Sequence, residues 1–531
     1  MPKVTIDDEE IEVAAGSTIL QAALARGREI PHYCYHDGLS ISGNCRMCLV
    51  EVEKQPKLVI GCYTPVADGM VVHTQSEKVK QARSAMMEFF LINHPLDCPI
   101  CDQAGECRLQ EYAVEHGTGK SRYTESKLAL SKAVDIGPHV MLDQERCIQC
   151  SRCIRFCDEV TKTGELGFFQ RGERSQIGIF PGKRLDNAYS GNVVDLCPVG
   201  ALTLKEFRFK TRVWYLKNTP TICAGCARGC NIVVSVGQQQ TMMTTRGQID
   251  DRVKRVVARV NEEVNGHWIC DEGRMSYLAE QQAVRLDAPQ VGGAASSYDA
   301  AVAAAAAKLA AAGRDGSLGL LVSPRTLSED LFAWSRLVEA LGGAVRGVVP
   351  LERGEDDALL MRANKGANAR GVSAILGGVA DDQAVLGAVV SGKVRTVLVL
   401  GDTLDPKDTA SLSVPPQTKL DLVFVGPFVS GAAERAAVAI PSASWSEADG
   451  TYVNFQGRAQ RVRRCHLPLN EARPGWRIAA DVATAAGARI PSFASADDVL
   501  RALSQTVKEF DGVSGASLGL LGVAAAAAAG I

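Results

Sequence analysis

Cysteine placement constrains this chain more than anything else in it: sixteen of the seventeen cysteines lie before residue 271, most of them in tight CxxC-type groups. Cysteines crowded in such groups do not read as a disulfide framework. The opening MPKVTIDDEE has neither the apolar run of an export signal nor an Arg-rich amphipathic stretch. In an unexported chain, such groups read as thiolates held for metal. At 531 residues the chain needs several cores. Its 58 basic and 60 acidic side chains leave a net charge of −2, so no bulk charge advertises nucleic acid or an anionic membrane. The longest apolar run, LGLLGVAAAAAAG, is shorter than the ~20 residues that span a bilayer, and a chain soluble by itself is expected.

The first group is Cys34, Cys45, Cys48 and Cys62, in HYCYHDGLSISGNCRMCLVEV and VIGCYTP. Four thiolates on one loop and a returning strand suit a 2Fe-2S cluster, two to each iron, with Ser40, Ser42 and Gly43 small enough to let backbone N–H groups reach the sulfurs. Four cysteines also suit zinc. The second group, His94, Cys98, Cys101 and Cys107 in NHPLDCPICDQAGEC, completes a 4Fe-4S cluster with one neutral imidazole, although Cys3His taken alone is more often a zinc set. Only its neighbours tip it toward iron.

The third group, CIQCSRCIRFC, supplies Cys147, Cys150, Cys153 and Cys157, and Cys197-Pro198 follows. In two-cluster ferredoxins the fourth cysteine of each run ligates the other cluster, so Cys147, Cys150 and Cys153 should close on Cys197. The partner cluster would need cysteines where Asn187, Ser190 and Val193 stand. That cluster is therefore expected to be lost, and Cys157 reads as a structural thiol. The fourth group, Cys223, Cys226 and Cys230 in TICAGCARGCN with Cys270 in HWICDEGR, suits another 4Fe-4S cluster, with structural zinc as the plainer alternative. Cys465 has no group to join.

Patterning divides the chain into five parts. Residues 1–78 read as a β-grasp 2Fe-2S ferredoxin domain: hairpin strands VTID and IEV, a helix STILQAALARG capped by Ser17 or Thr18 and stopped by Gly27, then strands LVEVE and VVHT. Residues 79–118 form the His/Cys-ligated 4Fe-4S part, delivered by the helix SEKVKQARSAMMEFFLINH. Residues 119–212 form a ferredoxin-like 4Fe-4S part that lacks periodic structure, and 213–275 form the fourth cluster part around the strand NIVVSV. From 276 to 531, helices DAAVAAAAAKLAAA and LSEDLFAWSRLVEALGG alternate with strands SLGLLVS, TVLVLGD and DLVFVG, which argues a doubly wound α/β sheet. The fold expected is multidomain, α+β followed by α/β. No Walker loop, nucleophile elbow, HExxH or GxGxxG is present.

The four groups, in order and spacing, resemble the family of the large iron-sulfur (75 kDa, or G-type) subunit of NADH-quinone oxidoreductase, respiratory complex I. The resemblance implies one 2Fe-2S cluster on Cys34, Cys45, Cys48 and Cys62 and three 4Fe-4S clusters on the remaining quartets. The fourth is one that only some members keep. It implies electron relay from an NADH/FMN subunit toward quinone, entering at the 2Fe-2S and His-bearing sites and leaving by the third. Expected partners are the NADH/FMN-binding subunit, a small 2Fe-2S subunit and a ferredoxin-like quinone-side subunit. Nucleic acid is not expected, and membrane contact comes only through the complex, in its peripheral arm on the cytoplasmic side of the bacterial inner membrane. The C-terminal part is similar to molybdopterin oxidoreductases through AIPSASWSEADGTYVNFQGRAQ, where Thr451, Asn454, Gly457, Arg458 and Gln460 fit the pattern. No cysteine lies between Cys270 and Cys465 to ligate molybdenum, so a scaffold without molybdopterin is expected, and the part is short for that family. NAD-linked formate dehydrogenases and soluble hydrogenases can share the N-terminal series, but those formate dehydrogenases keep both clusters of the ferredoxin pair.

Overall fold

The computed structural model describes residues 1–237, 252–379, 381–401 and 420–525. It divides into two compact units, Met1–Leu216 and Lys217–Ile531. The first unit opens on a five-stranded sheet of Lys3–Ile6, Glu9–Glu12, Leu49–Val52, Val59–Ile60 and Met70–His73, in which the first and last of these strands pair in parallel and the other pairs are antiparallel. Strand alternation turns Val4, Ile6, Ile11 and Val72 to one buried face, where Ile19, Leu20 and Ala23 of the helix Ile19–Leu24 cover them. Thr18 is the N-cap of that helix, in a reciprocal capping box with Gln21. Gly27, at φ +69°, takes the left-handed turn that ends it.

A 16-residue helix, Glu77–Ile92, follows, with Val79, Arg83 and Met87 on its buried face, and its end hands the chain to His94. The helix Arg108–His116 packs beside it. Between 140 and 210 the helices and strands are only three to five residues long. Even so, Leu142, Phe156, Leu166, Leu185, Val193 and Leu202 are buried there, so these short elements and loops enclose an apolar core.

In the second unit, strands Leu216–Ile222, Asn231–Gly237 and Val253–Ala258 make a small sheet. The α/β part is a seven-stranded sheet whose five parallel strands are Leu318–Val322, Val345–Val348, Thr396–Leu400, Asp421–Gly426 and Val438–Pro441. Numbered along the chain, they lie in the order 2-1-3-4-5, one of the two common doubly wound arrangements. Strands buried on both faces need apolar residues at successive positions, as in LGLLV and TVLVL. One face packs against Tyr298–Arg314, Ser328–Ala340, Gly475–Ala486 and Ala496–Thr506, and the other against Gln383–Val390 and Gly431–Glu434. Ala301, Ala305, Ala306, Leu309 and Ala312 form the buried stripe of the Ala-rich helix, so that segment is packed structure. The Ala run after residue 525 lies outside the described residues. Among the described residues, no helix is long and apolar enough to cross a membrane.

Candidate metal centres

The first quartet sits where the sheet and the loop before it meet. Cys34, Cys48 and Cys62 are fully buried and Cys45 nearly so. Hydrogen bonds link the thiol of Cys34 to those of Cys45 and Cys62, and that of Cys48 to Cys62; these bonds draw Cys34 and Cys48 toward the thiolate. Backbone donors supply the rest: Tyr33 N–H reaches Cys45 Sγ at 3.4 Å, Cys62 N–H reaches Cys48 Sγ at 3.4 Å, and the amides of Cys45 and Asn44 face Cys34. Ser40 and Ser42, expected to open this loop to the sulfurs, have other work. Ser40 N–H donates to Glu159 at 2.8 Å, and Ser42 Oγ meets Ser151 Oγ at 3.4 Å. Gly43, at φ +63°, turns the chain so that the two amides after it face inward.

The second quartet lines one cavity of about 100 Å³, bordered also by Asp97, Arg146 and Gly200. His94 Nδ1 is buried there without a hydrogen-bond partner. Burial, reinforced by Lys127 and Arg146, pulls this imidazole down to about 4, so the ring is neutral at neutral pH. A half-buried, neutral imidazole whose Nδ1 is buried and unpartnered beside three cysteines fits a metal ligand, and that nitrogen is otherwise costly. Burial pushes the Cys107 thiol up to about 11, opposed by the amides of Gln110 and Leu109. Burial likewise raises Cys101, opposed first by the Gln103 amide. Cys98 is exposed. Gly200 is required here, because a Cβ on it would overlap Cys101 Sγ.

Cys147, Cys150, Cys153 and Cys197 line a third cavity, with Arg152, Val199 and Ala201. The loop is wound tightly: Gln149 and Ser151 take φ of +55° and +63°, unusual for side-chain-bearing residues and consistent with a chain wrapped around a bound group. Gln149 N–H reaches Cys147 Sγ at 3.4 Å, and the amides of Val199, Leu202 and Ala201 face Cys197. Cys157 is not part of this wall. It lies in a π-helical turn, Phe156–Val160, fully buried, and its thiol is raised by burial and by Glu165, to which it hydrogen-bonds.

The fourth quartet belongs to the second unit. Cys223, Cys226, Cys230 and Cys270 are all buried, with Gly225 N–H on Cys223 Sγ and Gly273 N–H on Cys270 Sγ, each at 3.3 Å. Cys270 caps the helix Asp271–Gln282 through that second bond. A Cβ on Gly273 would come within 2.9 Å of Cys223 Sγ. The expected motif after residue 450 clamps this loop: Gln460 donates to Gly229 O at 2.9 Å and accepts from Asn231 at 2.7 Å, Asn454 donates to Arg228 O at 3.2 Å, and Phe455 N–H donates to Ala227 O at 2.9 Å. Thr451 and Arg458 anchor the hairpin itself, to Glu329 and to the carbonyls of Leu521 and Gly522. Gly457, at φ +81°, lies against the Arg370 guanidinium.

Sequence reading missed three arginines beside the quartets. Arg83 and Arg146, and the half-buried Arg152, stand beside Cys48, Cys101 and Cys150, and each guanidinium offers thiolates a counter-charge. Arg152 could have been noticed from its place inside the third cysteine run; the other two are brought in by tertiary packing. No three His, Cys, Asp or Glu side chains among the described residues stand as ligands of a single metal ion. The fit to polyatomic clusters rests on the shared cavities, the inward amides, the unpartnered His94 and the glycines that keep Cβ atoms off the sulfurs.

Four protein families match along the chain: a 2Fe-2S iron-sulfur cluster binding domain over 2–77, the NADH-ubiquinone oxidoreductase-G iron-sulfur binding region over 83–122, the ferredoxin-like domain of NADH-quinone oxidoreductase subunit 3 over 137–203, and molybdopterin oxidoreductase over 299–485. Over 291 residues, 55% of this chain, it is 47% identical to the G-type subunit of NADH-quinone oxidoreductase from Rickettsia felis, of which it covers 41%. Over 276 residues, 52% of this chain, it is 47% identical to the mitochondrial NADH-ubiquinone oxidoreductase 78 kDa subunit of Candida albicans, of which it covers 36%. The chain thus spans about two fifths of the length of these relatives. A solved NAD+-reducing [NiFe]-hydrogenase aligns at 31% identity over 40% of this chain and 91% of its own, with a TM-score of 0.37. Over about half of its length, with 2Fe-2S and 4Fe-4S binding regions in this order, the chain is thus similar to the G-type, 75 kDa iron-sulfur subunits of NADH-quinone oxidoreductases.

Proposed function

We propose that this chain is the iron-sulfur relay of an NADH:quinone oxidoreductase, taking electrons from an NADH/FMN subunit and passing them toward quinone. One 2Fe-2S cluster is assigned to Cys34, Cys45, Cys48 and Cys62. Three 4Fe-4S clusters are assigned to His94 with Cys98, Cys101 and Cys107; to Cys147, Cys150, Cys153 and Cys197; and to Cys223, Cys226, Cys230 and Cys270. The five-part division at 78, 118, 212 and 275 follows these assignments. The partners proposed are the flavin subunit, a small 2Fe-2S subunit and a ferredoxin-like quinone-side subunit, in the peripheral arm at the cytoplasmic face of the bacterial inner membrane. The α/β part serves as a scaffold without molybdopterin.

The observation that carries this reading is the shared core of the first unit. Cys34 and Cys45 of the first quartet, Cys107 of the second and Cys150 of the third belong to one buried apolar cluster with Tyr33, Met47 and Met87. A cavity of about 260 Å³ is lined by both His94 and Cys147. Bound at these quartets, clusters would accept and release one electron at a time. The chain's own residues exclude water, hold the sulfurs at fixed places and supply amides that favour added negative charge. The fourth quartet, in the other unit, is read as structural. In the assembled complex, Cys150→Ser is expected to abolish NADH:quinone turnover while NADH oxidation by an artificial acceptor at the flavin persists, and Cys226→Ala to spare turnover but weaken folding. Normal quinone turnover with Cys150→Ser would contradict the relay.

A further inference from the structure

One guanidinium lies between two of the quartets. Arg152, two residues after Cys150 and one before Cys153, lines the cavity of the third quartet. One end of its fork donates to Leu196 O at 3.2 Å, the carbonyl preceding Cys197. The other end donates to Tyr35 O, the carbonyl following Cys34. Its two terminal nitrogens thus tie the third quartet to the first. Its Nε is buried without a hydrogen-bond partner, on a side chain whose remaining neighbours include the thiols of the cavity wall. A buried N–H left unpaired by the protein is costly unless something else accepts from it. None of the cysteine sulfurs accepts from it, so the acceptor would be sulfur of a cluster held in the cavity.

We propose that Arg152 is a shared electrostatic control of the first and third centres, setting both reduction potentials with one charge and donating Nε–H to sulfur at the third. The inference rests on the cluster assignment above. Arg keeps its proton under all ordinary conditions, so the charge is permanent. Burial weakens the cation's hydration, while Cys150, Cys197, Cys34 and Cys45, in that order, are the thiols whose charge it feels. Reducing either centre adds one electron and one unit of negative charge, and no bond is made or broken. A cation close to both sites stabilises the reduced form of both, so neutralising it must lower both potentials. Its neighbour Arg155 differs: it donates to Cys34 O, Ser40 O and Ser151 Oγ, and none of its hydrogen bonds reaches the Cys197 loop.

The test uses the full chain purified anaerobically, with iron counted and each centre followed by electron paramagnetic resonance through a dithionite titration. Arg152→Gln should favour the oxidised form of both the 2Fe-2S centre and the third centre by on the order of tenfold each, about 59 mV for a one-electron couple. Arg152→Lys, which keeps the charge and loses the fork, should hold both potentials nearer wild type. Potentials unmoved in Arg152→Gln, or a shift at one centre alone, would overturn the proposal, as would Arg152→Lys falling as far as Arg152→Gln. If Arg152→Gln fails to hold a cluster, retention of both in Arg152→Lys with near-native potentials supports a requirement for charge; loss from both variants reduces Arg152 to a strut and overturns it. Wild-type chain without iron would instead refute the cluster assignment itself, before either variant is considered.

Discussion

Asn187 donates its side-chain amide to Glu165 Oε1 at 2.9 Å, and Glu165 also hydrogen-bonds the thiol of Cys157. By ferredoxin spacing, Asn187 stands at one ligand position of a second cluster and Cys157 at another. Glu165, almost completely buried, fills the space between them, and Thr163 donates to its other oxygen. A buried carboxylate is thus held by an amide, a hydroxyl and a thiol at these positions. Cys157→Ala should leave the iron content unchanged, whereas Cys153→Ala should lose about four irons by the stoichiometry of a 4Fe-4S centre. Iron analysis of the two variants side by side checks this.

The glycines beside sulfur make a second pair of expectations. Gly200→Ala places a methyl group on Cys101 Sγ and should empty the second centre selectively, while Gly273→Ala, against Cys223 and Cys270, should disturb only the fourth. Cluster-specific resonance signals in each variant report which centre is lost. Loss of the same centre in both would show that the contacts do not act locally.

How much of this was legible in the sequence differs from residue to residue. The cysteine runs are local: the residues from Cys147 to Cys153 reach one cavity because a single loop carries them, and their spacing alone announces it. Capping by Thr18 and the alternation of Val4 and Ile6 are local too. Gly200 and the buried Arg83 and Arg146 are different, since each meets its cysteine across a long stretch of chain. Nothing within a few residues of them marks the need for a missing Cβ or a buried charge. The Thr451–Gln460 stretch was recognisable as a pattern, but its work as a clamp on the loop from Ala227 to Asn231 needed the fold.

Glu329 gives the second unit a pH dependence. It is fully buried, and burial raises its carboxyl to about 7, against two hydrogen bonds of 2.7 Å from Thr451 N–H and Oγ1. The folded chain therefore binds this proton more tightly than the unfolded chain does between about pH 4.5 and 7. Its contribution is fully present below that window and is lost as pH rises through the folded value, up to on the order of 3 kcal/mol in all. Denaturant unfolding at pH 5 and pH 8 should show the decline, and Glu329→Gln should flatten it. A wild-type midpoint that rises across the same interval would contradict this.

Gln460 is fully buried and bonded at both ends of its amide, to Gly229 O and to Asn231. Gln460→Ala should leave both partners unsatisfied, costing about 1–3 kcal/mol each where buried. The fourth cysteine loop should loosen, so that its cluster decays in air faster than the other three. Equal decay at all centres in the variant would argue against the clamp.

The most direct measurement is the iron and zinc content of the anaerobically purified chain, taken with its resonance spectrum after reduction. Four clusters on these quartets require a brown, reducible protein with about fourteen irons, from one 2Fe-2S and three 4Fe-4S clusters. A colourless protein holding zinc at the quartets, with no reducible signal, would contradict the relay.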